Sequence, residues 1–196
     1  MKIVFFDVDG ILTYIDSGNE NEGIDESRVM LLKEILERAG AEAVIISSWK
    51  GYKLPDGRFY RPGIFHTLEN VLLKHGIRIF DETEYVSPVL RADAPPPPEG
   101  AVSFEELDRY GEEAFEPGGG RAREVFNWLS THPEVTGFVI LDDEDHGWAY
   151  YGYDASWVRP SWYEPGGGLK REHVEKAVEI LSSTGRPCEK KPGLPG

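Results

Sequence analysis

A three-layer α/β fold, with a central parallel sheet and helices on both faces, is what this sequence predicts, on three observations. Short continuous apolar runs rich in β-branched and aromatic residues recur along the chain, the pattern of strands buried on both faces. Between them lie segments with apolar residues at helical spacing, and strand and helix in alternation is the signature of an open parallel sheet. The 196 residues fit one domain and are enough to bury a core.

Ile3 to Phe6 is the first apolar run and stops at Asp7-Val8-Asp9-Gly10. After a polar loop from Asp16 to Gly23, Asp25-Glu26-Ser27 supplies a helix cap. Val29, Leu32, Ile35 and Leu36 recur at helical spacing behind it, and Gly40 marks the end. Ala43 to Ile46 reads as a second buried strand, stopping at Ser47-Ser48-Trp49-Lys50. Leu68, Val71 and Leu72, closed by His75-Gly76, predict the next helix, and Ile77 to Phe80 a third strand. Periodicity returns with a helix from Arg121 to Leu129, whose Val125, Trp128 and Leu129 share a face. Gly137 to Leu141 then reads as a strand ending in Asp142-Asp143-Glu144-Asp145. Trp157-Val158 is a short last strand, and Lys170 to Leu181 a final helix with Val174, Ala177, Val178 and Leu181 as its buried stripe.

Residues 85–120 interrupt the pattern with a proline run (Pro95 to Pro98), a stretch of acids and Gly118-Gly119-Gly120, and read as an irregular insert. The expected domain is therefore 1–184, followed by a Pro- and Gly-rich tail over 185–196 that frays. The acidic part of the insert reads as a solvated face.

With 40% hydrophobic and 12% aromatic residues the chain carries more core-forming material than a disordered one. A net charge of −14 repels nucleic-acid phosphates over most of the surface, so strong unassisted nucleic-acid binding is not expected. The lone Cys188 excludes an internal disulfide and a cysteine-based zinc site. The N-terminal apolar run is too short for a signal peptide, and no later run approaches the roughly 20 residues of a membrane span. The expectation is a soluble, cytoplasmic protein without a membrane partner.

In open parallel sheets the ligand crevice lies beyond the carboxyl ends of the strands, so residues that follow buried strands converge. Three such ends here are polar: Asp7/Asp9, Ser47/Ser48 and Asp142/Asp143. Carboxylates packed together repel one another, and a hard divalent ion with oxygen ligands removes that cost. Four carboxylates at one edge point to Mg²⁺.

The segments Asp7-Val8-Asp9-Gly10-Ile11, Ile45-Ile46-Ser47-Ser48-Trp49-Lys50, Arg121 with Glu124-Val125 and Trp128-Leu129, and Phe138-Val139-Ile140-Leu141-Asp142-Asp143 occur in that order. Gly168-Leu169-Lys170 opens the last helix. Together they resemble the haloacid dehalogenase-like (HAD) superfamily, in the capless branch found in RNA-repair assemblies of the Swiss Army Knife type. The resemblance implies a Rossmann-like core without a large cap. It implies a Mg²⁺-dependent phosphatase in which Asp7 attacks phosphorus to give an aspartyl-phosphate, and Asp9 acts as general acid and base. The metal set it implies is Asp7, the backbone carbonyl of Asp9, and Asp142, with Asp143 as ligand or support. Ser47, Ser48 and a cation bind the phosphoryl oxygens.

Arg121 is favoured as that cation, with Arg123 and Lys50 as alternatives. Ile11 stands where the family carries Thr or Val and brings no hydroxyl. Ser48 has a second reading as the cap of a following helix. His146 reads as a solvated loop residue, and more strongly so His66, His75, His132 and His173. The aromatic stretch from Trp148 to Tyr163 reads as core packing, with stacking of a base or sugar as the alternative. The competing functions are a non-catalytic phosphate-sensing or partner-binding module, and dehalogenation, which does not ordinarily need Asp142/Asp143. An open site suits a phosphorylated macromolecular end, such as a nucleic-acid or nucleotide phosphate.

Overall fold

The structure, a computed structural model, describes residues 1–18, 20–53, 58–86 and 119–183. The insert over 85–120 lies mostly outside these residues, and the tail over 185–196 wholly so. Strand β1 (Lys2–Phe6) is followed by α1 (Glu26–Ala39), β2 (Ala41–Ile45), the short β3 (Tyr52–Lys53) and β4 (Phe59–Tyr60), α2 (Gly63–Lys74) and β5 (Ile79–Glu82). Then come α3 (Gly120–Thr131), β6 (Gly137–Leu141), β7 (Trp157–Val158) and α4 (Arg171–Ser182).

Five strands form one all-parallel sheet in the order β5-β2-β1-β6-β7. β1 sits at its centre because Ile3, Val4, Phe5 and Phe6 are all fully buried, which only a strand covered on both faces permits. The alternation of its side chains divides the core in two. Val4 and Phe6 join Val29, Leu32 and Ile35 of α1, Phe65, Leu68 and Leu72 of α2, and Val174, Ala177 and Leu181 of α4. Ile3 and Phe5 face the other way, to Val125, Trp128 and Leu129 of α3 and to Trp148 and Tyr153. Helices thus cover both faces of the sheet, which is the Rossmann-like, three-layer arrangement that the alternation of elements predicts.

Local chemistry sets the helix ends. Asp25 caps α1, its carboxylate accepting from the Ser27 N–H at 2.8 Å, and Gly40 closes it. α4 begins where the Lys170 N–H donates to His173 Nδ1 at 3.0 Å, so His173 is a capping residue and not a solvated one. His75 likewise pairs with Glu26 at 2.7 Å, and His132 stacks on Trp128.

Three features depart from expectation. β5 begins two residues later than the apolar run Ile77 to Phe80, because Ile77 is buried in the helix-to-strand turn, its N–H donating to the Leu72 carbonyl, while Phe80 is about half exposed. An antiparallel pair, β3 and β4, follows β2 where no strand is expected. No helix starts at Ser48: residues 47–50 form a turn closed by the Lys50 N–H on the Ser47 carbonyl at 3.2 Å, so Ser48 caps nothing. Among the described residues, no helix is long and apolar enough to cross a membrane.

Candidate active site

Register fixes the site. Phe6 lies opposite Ile45 on one side and Leu141 on the other, so the residues that leave β1, β2 and β6 emerge at one level. The Asp7 N–H continues the ladder onto the Leu141 carbonyl at 2.9 Å, and the Ile46 N–H onto the Phe6 carbonyl at 3.0 Å. Asp7, Ser47 and Asp142 are thereby brought together from positions far apart in sequence, and all three are buried.

Asp7, Asp142 and Asp143 each turn a carboxylate oxygen into a cluster whose atoms lie within 4.8 Å of one another. The glycine at position 10 makes this possible. It has φ +71°, and a Cβ there would fall 2.2 Å from Asp143 Cγ, so any side chain would displace that carboxylate. An all-oxygen, acidic set of this kind suits a hard divalent cation.

Arg121, in the first turn of α3, reaches across the cluster. Its Nη1 donates to Asp7 Oδ2 at 2.6 Å and to Asp142 Oδ2 at 2.8 Å. Burial works against the guanidinium charge, but the two carboxylates outweigh it and hold Arg121 firmly protonated. For Asp7 the balance runs the other way. Burial pushes its carboxyl above the usual range, assisted by Asp142, despite Arg121, the Ser47 hydroxyl and the Val8 N–H. Burial also opposes the charge of Asp142, yet His146 and Arg121 hold it below the usual carboxylate range. Asp143 is pushed up to about 7 by burial and by the neighbouring Asp142, Asp7 and Glu144. The cluster is therefore short of positive charge, as a metal site is before its cation arrives.

The Asp9 carboxyl stands apart from the cluster. Its Oδ2 accepts from Trp49 Nε1 and its Oδ1 from Thr13 Oγ1, each at 2.9 Å. A hydroxyl absent at Ile11 is thus supplied by Thr13, while Ile11 itself is fully buried in the core. Asp7, Asp9, Arg121, Asp143 and the exposed Ser48 line an open cavity of about 410 Å³, with Glu144, Trp162 and Tyr163 at its rim.

Several assignments change. Lys50, the alternative cation, does not line the cavity: it is buried, and its Nζ lies 2.5 Å from Glu124 Oε2. Burial lowers its pKa even so, against the opposing pull of Glu124. Arg123 is exposed on α3 and does not line the cavity. His146 is not solvated but half-buried, with Nε2 3.6 Å from Asp142 Oδ1 and its ring edge-on to Trp148. The aromatic stretch divides, Trp148, Tyr151 and Tyr153 being core while Trp162 and Tyr163 face the cavity. Trp49 and Thr13 escape a reading of the sequence, and His146 is read there as solvated. The spacings of Thr13, four residues beyond Asp9, and of His146, four beyond Asp142, offer a signal.

No curated protein and no solved structure gives a match to the chain. Residues 3–174, most of its length, match the family described as the HAD domain in Swiss Army Knife RNA repair proteins, and the chain belongs to that family.

Proposed function

We propose that the protein is a Mg²⁺-dependent phosphatase that hydrolyses a phosphomonoester through an aspartyl-phosphate on Asp7. The observation that carries this reading is the convergence of Asp7, Asp142 and Asp143 within 4.8 Å. Membership of a family of HAD domains supports it.

Asp7, Asp142 and Asp143 would hold the cation, with the Asp9 backbone carbonyl as a fourth ligand. When bound, Mg²⁺ supplies positive charge that offsets both the carboxylates and the phosphoryl oxygens. Asp7 attacks phosphorus: an Asp7 O–P bond forms and the ester O–P bond breaks. The leaving oxygen takes a proton from Asp9, which Trp49 and Thr13 hold in place. In the second half, Asp9 accepts a proton from water as the water oxygen bonds to phosphorus and the Asp7 O–P bond breaks, which restores both carboxyl groups. Arg121, which also keeps Asp7 oriented, would bind phosphoryl oxygens together with Ser47 and Ser48. The description of the family as part of RNA repair proteins favours nucleic-acid or nucleotide phosphate ends as substrates.

The test is phosphate release, with and without Mg²⁺, from p-nitrophenyl phosphate and a panel of 3′- and 5′-phosphorylated oligonucleotides and nucleotides. Turnover is expected to need the metal and to vanish in Asp7→Asn. A folded, Mg²⁺-binding protein that releases phosphate from none of them would point instead to a phosphate-sensing module.

A further inference from the structure

Trp162 and Tyr163 line the cavity mouth, and Tyr163 is 77% exposed. An aromatic ring left in water forgoes its burial energy, so its setting decides whether it is incidental. This one sits on an anchored segment. The Ile15 N–H donates to the Trp162 carbonyl at 3.1 Å, the Gly168 N–H to the Ser161 carbonyl at 2.9 Å, and the Leu169 N–H to the Ile11 carbonyl at 2.8 Å. Gly168, at φ +72°, allows that approach, since a Cβ there would fall 2.9 Å from the Ile11 carbonyl oxygen. Further along, Arg28 Nη2 holds the Gly166 carbonyl at 3.0 Å. The aromatic pair is thus tied to the same loop that carries Asp9.

Charge limits what such a rim binds. Arg121 is the one cation among the described residues that line the cavity, and it is already engaged by Asp7 and Asp142. Asp7, Asp9, Asp143 and Glu144 line the same cavity, so a run of further phosphates would meet negative charge. A flat, uncharged ring attached to the phosphorylated sugar meets neither obstacle, and stacking on an aromatic side chain accepts any base.

Resting on the phosphatase reading, we infer that Trp162 and Tyr163 form a stacking subsite for the nucleobase of the nucleotide that bears the phosphomonoester, making the protein selective for nucleotides over simple sugar phosphates. Recognition ends at that one nucleotide. Affinity for it comes from ring stacking and not from contacts along a phosphate backbone.

The experiment compares kcat/KM for adenosine 5′-monophosphate and ribose 5-phosphate in the full chain, for wild type, Tyr163→Phe and Tyr163→Ala. Wild type is expected to prefer the nucleotide, and Tyr163→Ala to cut that preference about tenfold, chiefly through KM, with Tyr163→Phe retaining it. No preference in wild type, or an equal fall for both substrates in Tyr163→Ala, would overturn the inference. If wild type hydrolyses neither compound nor acetyl phosphate, the phosphatase reading fails separately. Equilibrium dialysis of adenosine 5′-monophosphate against Asp7→Asn and Asp7→Asn/Tyr163→Ala, both with Mg²⁺, then decides the subsite alone: weaker binding in the double variant upholds it, and equal binding removes it.

Discussion

Asp9 owes its place to two neighbours that come from different parts of the chain. Thr13 follows it on the same loop, and Trp49 arrives from the turn after β2. Hydrogen bonds to a charged group are worth about 1.5–3 kcal/mol, and about 1.4 kcal/mol is a factor of ten in rate. Trp49→Phe keeps an aromatic ring in the core, smaller than the indole, and removes the donor. It is expected to lower kcat about tenfold with little change in KM, measured by phosphate release at saturating Mg²⁺. An unchanged kcat would show that Asp9 needs no such support. Asp7, Asp9 and Asp142 are readable in the sequence because each sits at or just beyond the end of an apolar run, and strand ends in a parallel sheet converge by rule. Trp49 is not, since it takes its role from a partner brought near only by the fold, and His146, although only four residues beyond its partner Asp142, reads as solvated until the loop that buries it is seen. Lys50 misleads for the same reason: beside Ser47 in sequence, it looks free to meet phosphate, yet it turns inward to Glu124.

That buried pair is a polar link between two elements that carry the site. Lys50, in the turn after β2, meets Glu124 of α3, which also accepts from Thr83 Oγ1 at 2.8 Å and from the Val86 N–H at 3.1 Å. α3 carries Arg121 in its first turn, so the pair fixes the helix that aims the guanidinium. Removing one member leaves the other buried without its counter-charge, which costs about 3–5 kcal/mol, whereas replacing both by apolar groups is often nearly neutral. In urea denaturation Lys50→Met is expected to lose about that much stability, and Lys50→Met/Glu124→Leu to recover part of it, since the Thr83 hydroxyl and the Val86 N–H then lose their acceptor. Equal losses in single and double variants would mean that packing, and not charge, is what these side chains supply. The elements themselves were legible where pattern and caps agree, as in α1 between Asp25 and Gly40. They were less so where an apolar run outlasts its strand, as at Ile77, whose burial comes from a turn, or where a strand is two residues long and has no periodicity to read, as in β3 and β4.

Across the molecule, two apolar cores clamp one sheet, and the buried carboxylates Asp7 and Asp142 stand at the carboxyl ends of two of its central strands. The −14 net charge gives a surface that repels polyanions at large, and among the described residues Asp7, Asp142 and Asp143 form a cluster that suits a hard divalent cation. The architecture was legible because β1, β2 and β6 are apolar throughout their buried parts, and the site because the same strands end in Asp or Ser. What covers the cavity rim depended on the loop around Trp162 and Tyr163, whose anchoring hydrogen bonds are made by backbone and leave no mark in the sequence.

The central claim is that Asp7 is the nucleophile, and mass spectrometry of the enzyme quenched in acid during turnover with Mg²⁺ tests it most directly. With p-nitrophenyl phosphate, whose leaving group can depart without a proton from Asp9, the Asp9→Asn variant still forms the intermediate but lacks the base for the second step, and should accumulate one phosphoryl group on the peptide that holds Asp7, with none in Asp7→Asn/Asp9→Asn. Phosphate release by wild type together with an unmodified Asp7 peptide in every sample would contradict the account and assign the attack to water.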